Sequence, residues 1–168
     1  CFLPPACAGT DGNTTTANST VPSFEDNTDY VIRNMETGLF LRCSSDKLHA
    51  AYFGSIGEND FNYYLWRFKS PTGGVGGYSL YNEGRQASLN DNATSDTYRG
   101  KTDNNGATWY IAPNPFNRNG YLISSNQDVA TNHTNCLYAY KAADNYYYLC
   151  STTTESVDLG THGLSNYY

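Results

Sequence analysis

The chain has 168 residues and a net charge of −6, enough for one domain of ordinary size with a short appendage and too short for two full-sized ones. Charged residues make up only 15%, so solubility rests on Asn, Thr and Ser, and the acidic balance repels phosphate backbones, which speaks against nucleic acid as a partner. No apolar run approaches the roughly 20 residues that a membrane span requires.

Residues 1–29 hold a Pro-bounded cysteine pair, Cys1 and Cys7, followed by a Thr/Asn tract with neither a helical nor a strand period. This segment reads as an irregular tail or linker. From Tyr30 the pattern changes to short segments rich in Tyr, Val, Ile, Leu and Phe between Gly, Asn, Asp and Ser clusters, which is the pattern of strands and turns. Strands are predicted at 30–34, 39–43, 49–53, 64–69, 78–82, 86–90, 97–101, 108–112, 121–126, 136–141 and 146–151, with a weak one at 156–160. No apolar stripe recurs at helical spacing over three turns, so no helix is predicted and the fold class is all-β.

The segments repeat. Tyr30, Tyr78 and Tyr121 open similar strands (YVIRN, YSLYN, YLISSN), and Trp66 and Trp109 lie late in the first two units. Dividing residues 30–168 by this repeat gives three units of about 46 residues with four strands each. The first unit turns at Thr37-Gly38 and the second at Glu83-Gly84, while the third inserts the longer connection NQDVATNHTN before CLYAY. The run Gly73 to Gly77 reads as the flexible crossing from unit one to unit two.

On these residues the chain resembles the β-trefoil family, and within it a divergent ricin-B-like lectin domain. The resemblance rests on the opening Tyr-x-Ile/Leu-x-Asn, the TG-like turn and the late Trp. It implies a β-trefoil of twelve short strands over 30–168, with Trp66 and Trp109 at equivalent core positions, and a non-catalytic glycan- or protein-binding role. The lectin branch usually reads Gln-x-Trp at the late position; here the residues are Tyr64-Leu65-Trp66 and Ala107-Thr108-Trp109. Its sugar pockets also place an aspartate late in the second strand, where this chain has Arg42, Ser88 and Tyr140. Glycan binding would therefore use other groups: the aromatics Tyr52 or Phe53 and Tyr98 for stacking, with Asp46, Asn59 and Asn62 as polar partners. The resemblance further implies a disulfide between Cys136 and Cys150, residues that neighbouring strands would bring together.

Cys1, Cys7 and Cys43 then remain, and three thiols cannot all pair within one chain. One stays buried, or it joins a second chain and makes the protein a homo-oligomer or filament. That is the alternative reading: an extracellular structural subunit assembling through its Cys-bearing tail and tyrosine-rich surface. A secreted protease inhibitor is a third reading, for which no reactive loop is evident. Sequons at Asn13, Asn18, Asn92 and Asn132 and the cysteines lead to the expectation of a secreted, extracellular glycoprotein, with glycans at Asn92 and Asn132. The start at Cys1 without a methionine fits a mature chain whose targeting peptide has been removed, and a lipidated N-terminal cysteine is the competing explanation. His49, His133 and His162 are isolated and no zinc, phosphate-loop or nucleophile motif occurs, so neither an enzyme, a cofactor nor a metal site is expected. The acidic runs Glu58-Asn59-Asp60 and Asp91 to Asp96 offer oxygen ligands for calcium, and turn chemistry accounts for them equally well.

Overall fold

The structure is a computed structural model that describes residues 23–44, 51–70, 76–91, 100–103, 106–115, 120–141 and 143–151. The described residues form ten strands and one 3₁₀ helix: β1 Phe40–Cys43, β2 Ala51–Gly54, the 3₁₀ helix Glu58–Tyr64, β3 Trp66–Lys69, β4 Ser79–Asn82, β5 Ala87–Asp91, β6 Gly100–Asp103, β7 Tyr110–Pro113, β8 Tyr121–Ser124, β9 Leu137–Lys141 and β10 Tyr147–Ser151. All pairing is antiparallel, in sheets ordered β1-β2-β10-β9, β3-β4-β5-β6 and β7-β8. Alternation drives the strands from β1 to β4: in FLRC, Leu41 and Cys43 point inward while Phe40 and Arg42 point away, and WRFK repeats the pattern with Trp66 and Phe68 inward.

The repeat read from the sequence reappears as a repeat of hydrogen bonds. Tyr30 and Trp66 exchange backbone bonds of 2.8 and 2.9 Å, and Tyr78 and Trp109 exchange bonds of 2.7 and 2.8 Å. The indole Nε1 of Trp66 donates to Leu41 O at 3.0 Å, and that of Trp109 donates to Leu89 O at 3.1 Å. The core follows the same order: Ile32, Leu80 and Ile123 from the opening segments, Leu41, Leu89 and Leu137 from the second strands, and Phe68 and Ile111 beside the tryptophans form one buried cluster. Burying each such side chain contributes about 1.5–3 kcal/mol before entropy is counted.

Four details differ from the sequence reading. ENDFNYY is a 3₁₀ helix, broken in φ/ψ at Asp60, and takes Tyr64 out of the predicted strand 64–69. Residues 30–34 join the sheets through isolated bridges, Tyr30 to Trp66 and Arg33 to Phe40, instead of a continuous ladder. The turn residue of unit two that matches Gly38 (φ 71°) is Gln86 (φ 51°), each standing just before the residue that faces Asn34 or Asn82. Gly84 is needed for another reason, since a Cβ there would come within 2.8 Å of the Tyr63 ring. Finally, Gly77 is no free hinge: at φ 75° its added Cβ would meet Thr108 at 2.6 Å and Trp109 O at 3.0 Å. The predicted strand 156–160 and most of 97–101 lie outside the described residues.

The last residues of the tail lie against this framework. Phe24 stacks on Phe68 with ring centroids 3.8 Å apart and meets Tyr30 and Tyr78 edge-on, while Asp29 accepts from Arg67 at 2.7 Å. Phe24→Ala is expected to lower unfolding free energy by about 2 kcal/mol, from lost apolar area and ring contacts. Urea denaturation of the two proteins measures it, and an unchanged midpoint would refute the packing role.

Candidate functional site

In unit one the side chains that leave the core converge. Arg42 points outward because Leu41 and Cys43 face inward, and the β1–β2 register sets it directly opposite Tyr52. Its guanidinium carbon stands 5.0 Å from the Tyr52 ring centre and 4.8 Å from that of Tyr64. Arg42 Nη1 donates to Tyr64 Oη at 3.2 Å and Nη2 to Asp60 Oδ2 at 3.4 Å. Tyr64 in turn donates to Ser55 O at 2.5 Å, which fixes the 3₁₀ helix against the end of β2. Burial opposes the charge on Arg42, but the Tyr64 hydrogen bond and the neighbouring Asp60 carboxylate help to outweigh it, so its pKa stands above the ordinary arginine value. The side chain of Arg42 is only 12% exposed, whereas that of Asp60 is 48% exposed. The carboxylate thus keeps open sites for accepting hydrogen bonds.

The expected site residues divide. Tyr52 is half-buried on the outward side of β2, and Asn59 and Asn62 are exposed on the 3₁₀ helix. Phe53 is a correction: it is buried in the main core opposite Leu41, so its ring face is taken by protein and is closed to a ligand. Asp46 and Tyr98 lie outside the described residues, as do Cys1, Cys7, Asn13, Asn18 and Asn92. The sequence pattern marks Arg42 only as a missing aspartate and Asp60 only as a calcium candidate; strand alternation places the first outward, but nothing in the sequence alone brings the second to it. Among the described residues no three His, Cys, Asp or Glu side chains gather to hold a metal ion, and no helix is long and apolar enough to cross a membrane.

A solved structure described as the BEL β-trefoil, apo crystal form 3, matches with a TM-score of 0.60 at 9% identity, over 91% of this chain and 97% of its own. The fold is a β-trefoil. A GlcNAcα1-4Gal-releasing endo-β-galactosidase from Clostridium perfringens also matches, with a TM-score of 0.57 at 17% identity over 83% of this chain; the match spans only 31% of that enzyme. No protein-family model and no curated relative matches the chain.

The trefoil departs from threefold symmetry in unit three. Its longer connection is held by Asn126, whose Nδ2 donates to Asn132 O and Thr134 Oγ1, and is plugged by buried Val129 against Ala112, Leu122 and Cys136. Asn132 is exposed, with its Oδ1 accepting from Thr134 N at 3.3 Å. The β9–β10 register sets Cys150 opposite Tyr138, two residues along from Cys136. Cys136 Sγ donates to His133 O at 3.2 Å. Burial pushes the Cys136 thiol up to about 12, against a smaller opposing effect of the Ser124 hydroxyl. A raised folded pKa means that the reduced protein holds the Cys136 proton more tightly than the unfolded chain does. Stability is therefore complete below the ordinary thiol value near 9 and is lost as pH rises from about 9 to about 12. With reductant present, Cys136→Ala is expected to flatten this alkaline loss in denaturation curves measured across that range, and an unaltered slope would count against it.

Proposed function

We propose that the protein is a secreted, non-catalytic glycan-binding module. One observation carries this reading: the half-buried Tyr52 on the third strand of unit one stands beside Arg42, whose partner Asp60 has a side chain 48% exposed to solvent. A sugar presents an apolar ring face and a set of hydroxyls, and an aromatic ring beside a carboxylate is the pair of groups that engages both. The carboxylate comes from the 3₁₀ helix instead of the second strand, so the ligand would sit differently from one in a galactose-type pocket. The fold itself supplies only an analogy. Sequons, with Asn132 exposed on the unit-three connection, support secretion and glycosylation, and a disulfide from Cys136 to Cys150 belongs to the same proposal, together with pairing among Cys1, Cys7 and Cys43.

The test is a glycan array read with wild type, Tyr52→Ala and Asp60→Asn. Specific hits that both variants weaken by about tenfold or more, with unchanged far-UV circular dichroism, are expected. A second reading, self-association of an extracellular structural subunit, is favoured by Ile56 and Phe61, which are 40% and 44% exposed beside the same site. An array without hits, together with a concentration-dependent mass in sedimentation that Phe61→Ser abolishes, would establish that reading in place of the first.

A further inference from the structure

The sheet that carries the unit-one site also includes the outer hairpin of unit three. Strand β2 pairs with β10, and the registers line up in one row across four strands: Arg42 opposite Tyr52, Tyr52 opposite Tyr148, and Tyr148 opposite Tyr140. Residues directly opposite one another in an antiparallel sheet share a face. For Arg42, Tyr52 and Tyr148 that is the outward face, because the flanking Leu41, Phe53 and Leu149 are buried in the core. Arg42 and Tyr140 stand where the lectin pattern has its aspartates, and Tyr52 stands on the third strand of its unit as Tyr148 does on that of unit three. The β2–β10 pairing therefore joins what would be two separate sites into one surface.

That surface is aromatic and extended. The rings of Tyr52 and Tyr148 lie 6.5 Å apart and tilted by 53°, neither stacked nor edge to face. Tyr148 Oη donates to Asp144 Oδ2 at 2.7 Å, which holds its ring in place. Tyr146, two residues before Tyr148, is 59% exposed. The three strands from β1 to β10 span two interstrand spacings, about 10 Å, the length of a short oligosaccharide segment and too long for a single sugar ring.

Charge narrows the ligand. Arg42 is engaged by Asp60 and Tyr64, Lys141 pairs with Tyr147 and so stands on the other face, and the carboxylates of Asp60 and Asp144 border the row. An anionic chain would meet repulsion, whereas a neutral chain offers hydroxyl donors to both carboxylates.

We propose that the Arg42–Tyr52–Tyr148 row binds an internal stretch of a neutral, β-1,4-linked oligosaccharide laid across the strands of units one and three. This rests on the glycan-binding reading and adds the class of ligand to it. A β-1,4-linked chain is ribbon-like and presents ring faces at successive residues, which Tyr52 and Tyr148 meet on neighbouring strands.

The test is calorimetric titration of the full chain with cellohexaose, chitohexaose and xylohexaose, and with glucose, N-acetylglucosamine and xylose. At least one hexasaccharide is expected to bind on the order of tenfold or more tighter than its monosaccharide, and Tyr148→Ala to remove that advantage. Tyr148→Phe, which keeps the ring and loses only the bond to Asp144, retains most of it. Tyr146→Ala is a second variant at an exposed position that weakens the same hexasaccharide without risk to the fold. Array hits confined to terminal sugars, with equal affinity for short and long chains and no effect at Tyr148 or Tyr146, would overturn the row and leave glycan binding standing. The absence of binding to any saccharide would overturn both.

Discussion

Trp66→Ala is expected to remove about 3–5 kcal/mol of stability through lost packing alone, a large share of the roughly 5–15 kcal/mol that holds a domain of this size together. The indole is fully buried between the opening segment and β1, and its Nε1 donates to Leu41 O. Removing it leaves both a cavity and a buried carbonyl without its donor, and the second adds about 1–3 kcal/mol. Trp109→Ala should cost a similar amount, because Trp109 is equally buried and makes the corresponding bond to Leu89 O. Trp66→Phe falls between, keeping most of the apolar area and losing the hydrogen bond. Equilibrium denaturation of the three variants measures the series. Losses at positions 66 and 109 that differ by more than about 2 kcal/mol would show that the two units are not energetic equivalents.

The second large effect lies at Asn82. Its Nδ2 donates to Tyr63 O at 2.8 Å and Leu65 O at 3.3 Å, and its Oδ1 accepts from Arg85 N at 3.0 Å, all from a fully buried position. Asn82→Ala strands several of these groups and is expected to cost about 2–4 kcal/mol. The matching residue of unit one, Asn34, differs in one respect. Its Oδ1 accepts from Thr37 N and Thr37 Oγ1, but its buried Nδ2 finds no partner among the described residues. Alanine there gives up two bonds and also removes a costly amide, so Asn34→Ala should be milder, at about 1 kcal/mol. Thermal unfolding of both variants decides the order, and a larger loss at Asn34 would contradict it.

The repeat was legible because a trefoil writes its geometry into spacing: Tyr30 and Tyr78 recur with their tryptophans and with Leu41 and Leu89 eleven residues on. What the sequence hid was parity and partnership. Tyr52 and Phe53 are adjacent aromatics on one strand, and only the facing of Leu41 by Phe53 decides which is core and which is outward. The segment ENDFNYY has no apolar period, since a 3₁₀ helix this short is set by its neighbours, so Asp60 could not be placed beside Arg42. The Gly84 of unit two looked like the counterpart of Gly38, but proximity to Tyr63 and not backbone conformation is what requires it. The β2–β10 pairing joins residues almost a hundred positions apart, and no local pattern announces it.

The turn of unit two has one more consequence. Gly84 N donates to Asn62 O, Glu83 N to Leu65 O, and the Asn82 amide to Tyr63 O, so the 3₁₀ helix carrying Asp60 is braced by a loop from the next unit. Unit one holds that helix through the Tyr64 bond to Ser55 O and the Arg42 contacts, and unit two supplies the remaining anchors. The rim that carries Asp60 is thus set by two units together and not by one repeat. Shortening or grafting the turn at 82–86 in an engineered hybrid would therefore shift the Asp60-bearing helix of the neighbouring unit without touching one of its residues.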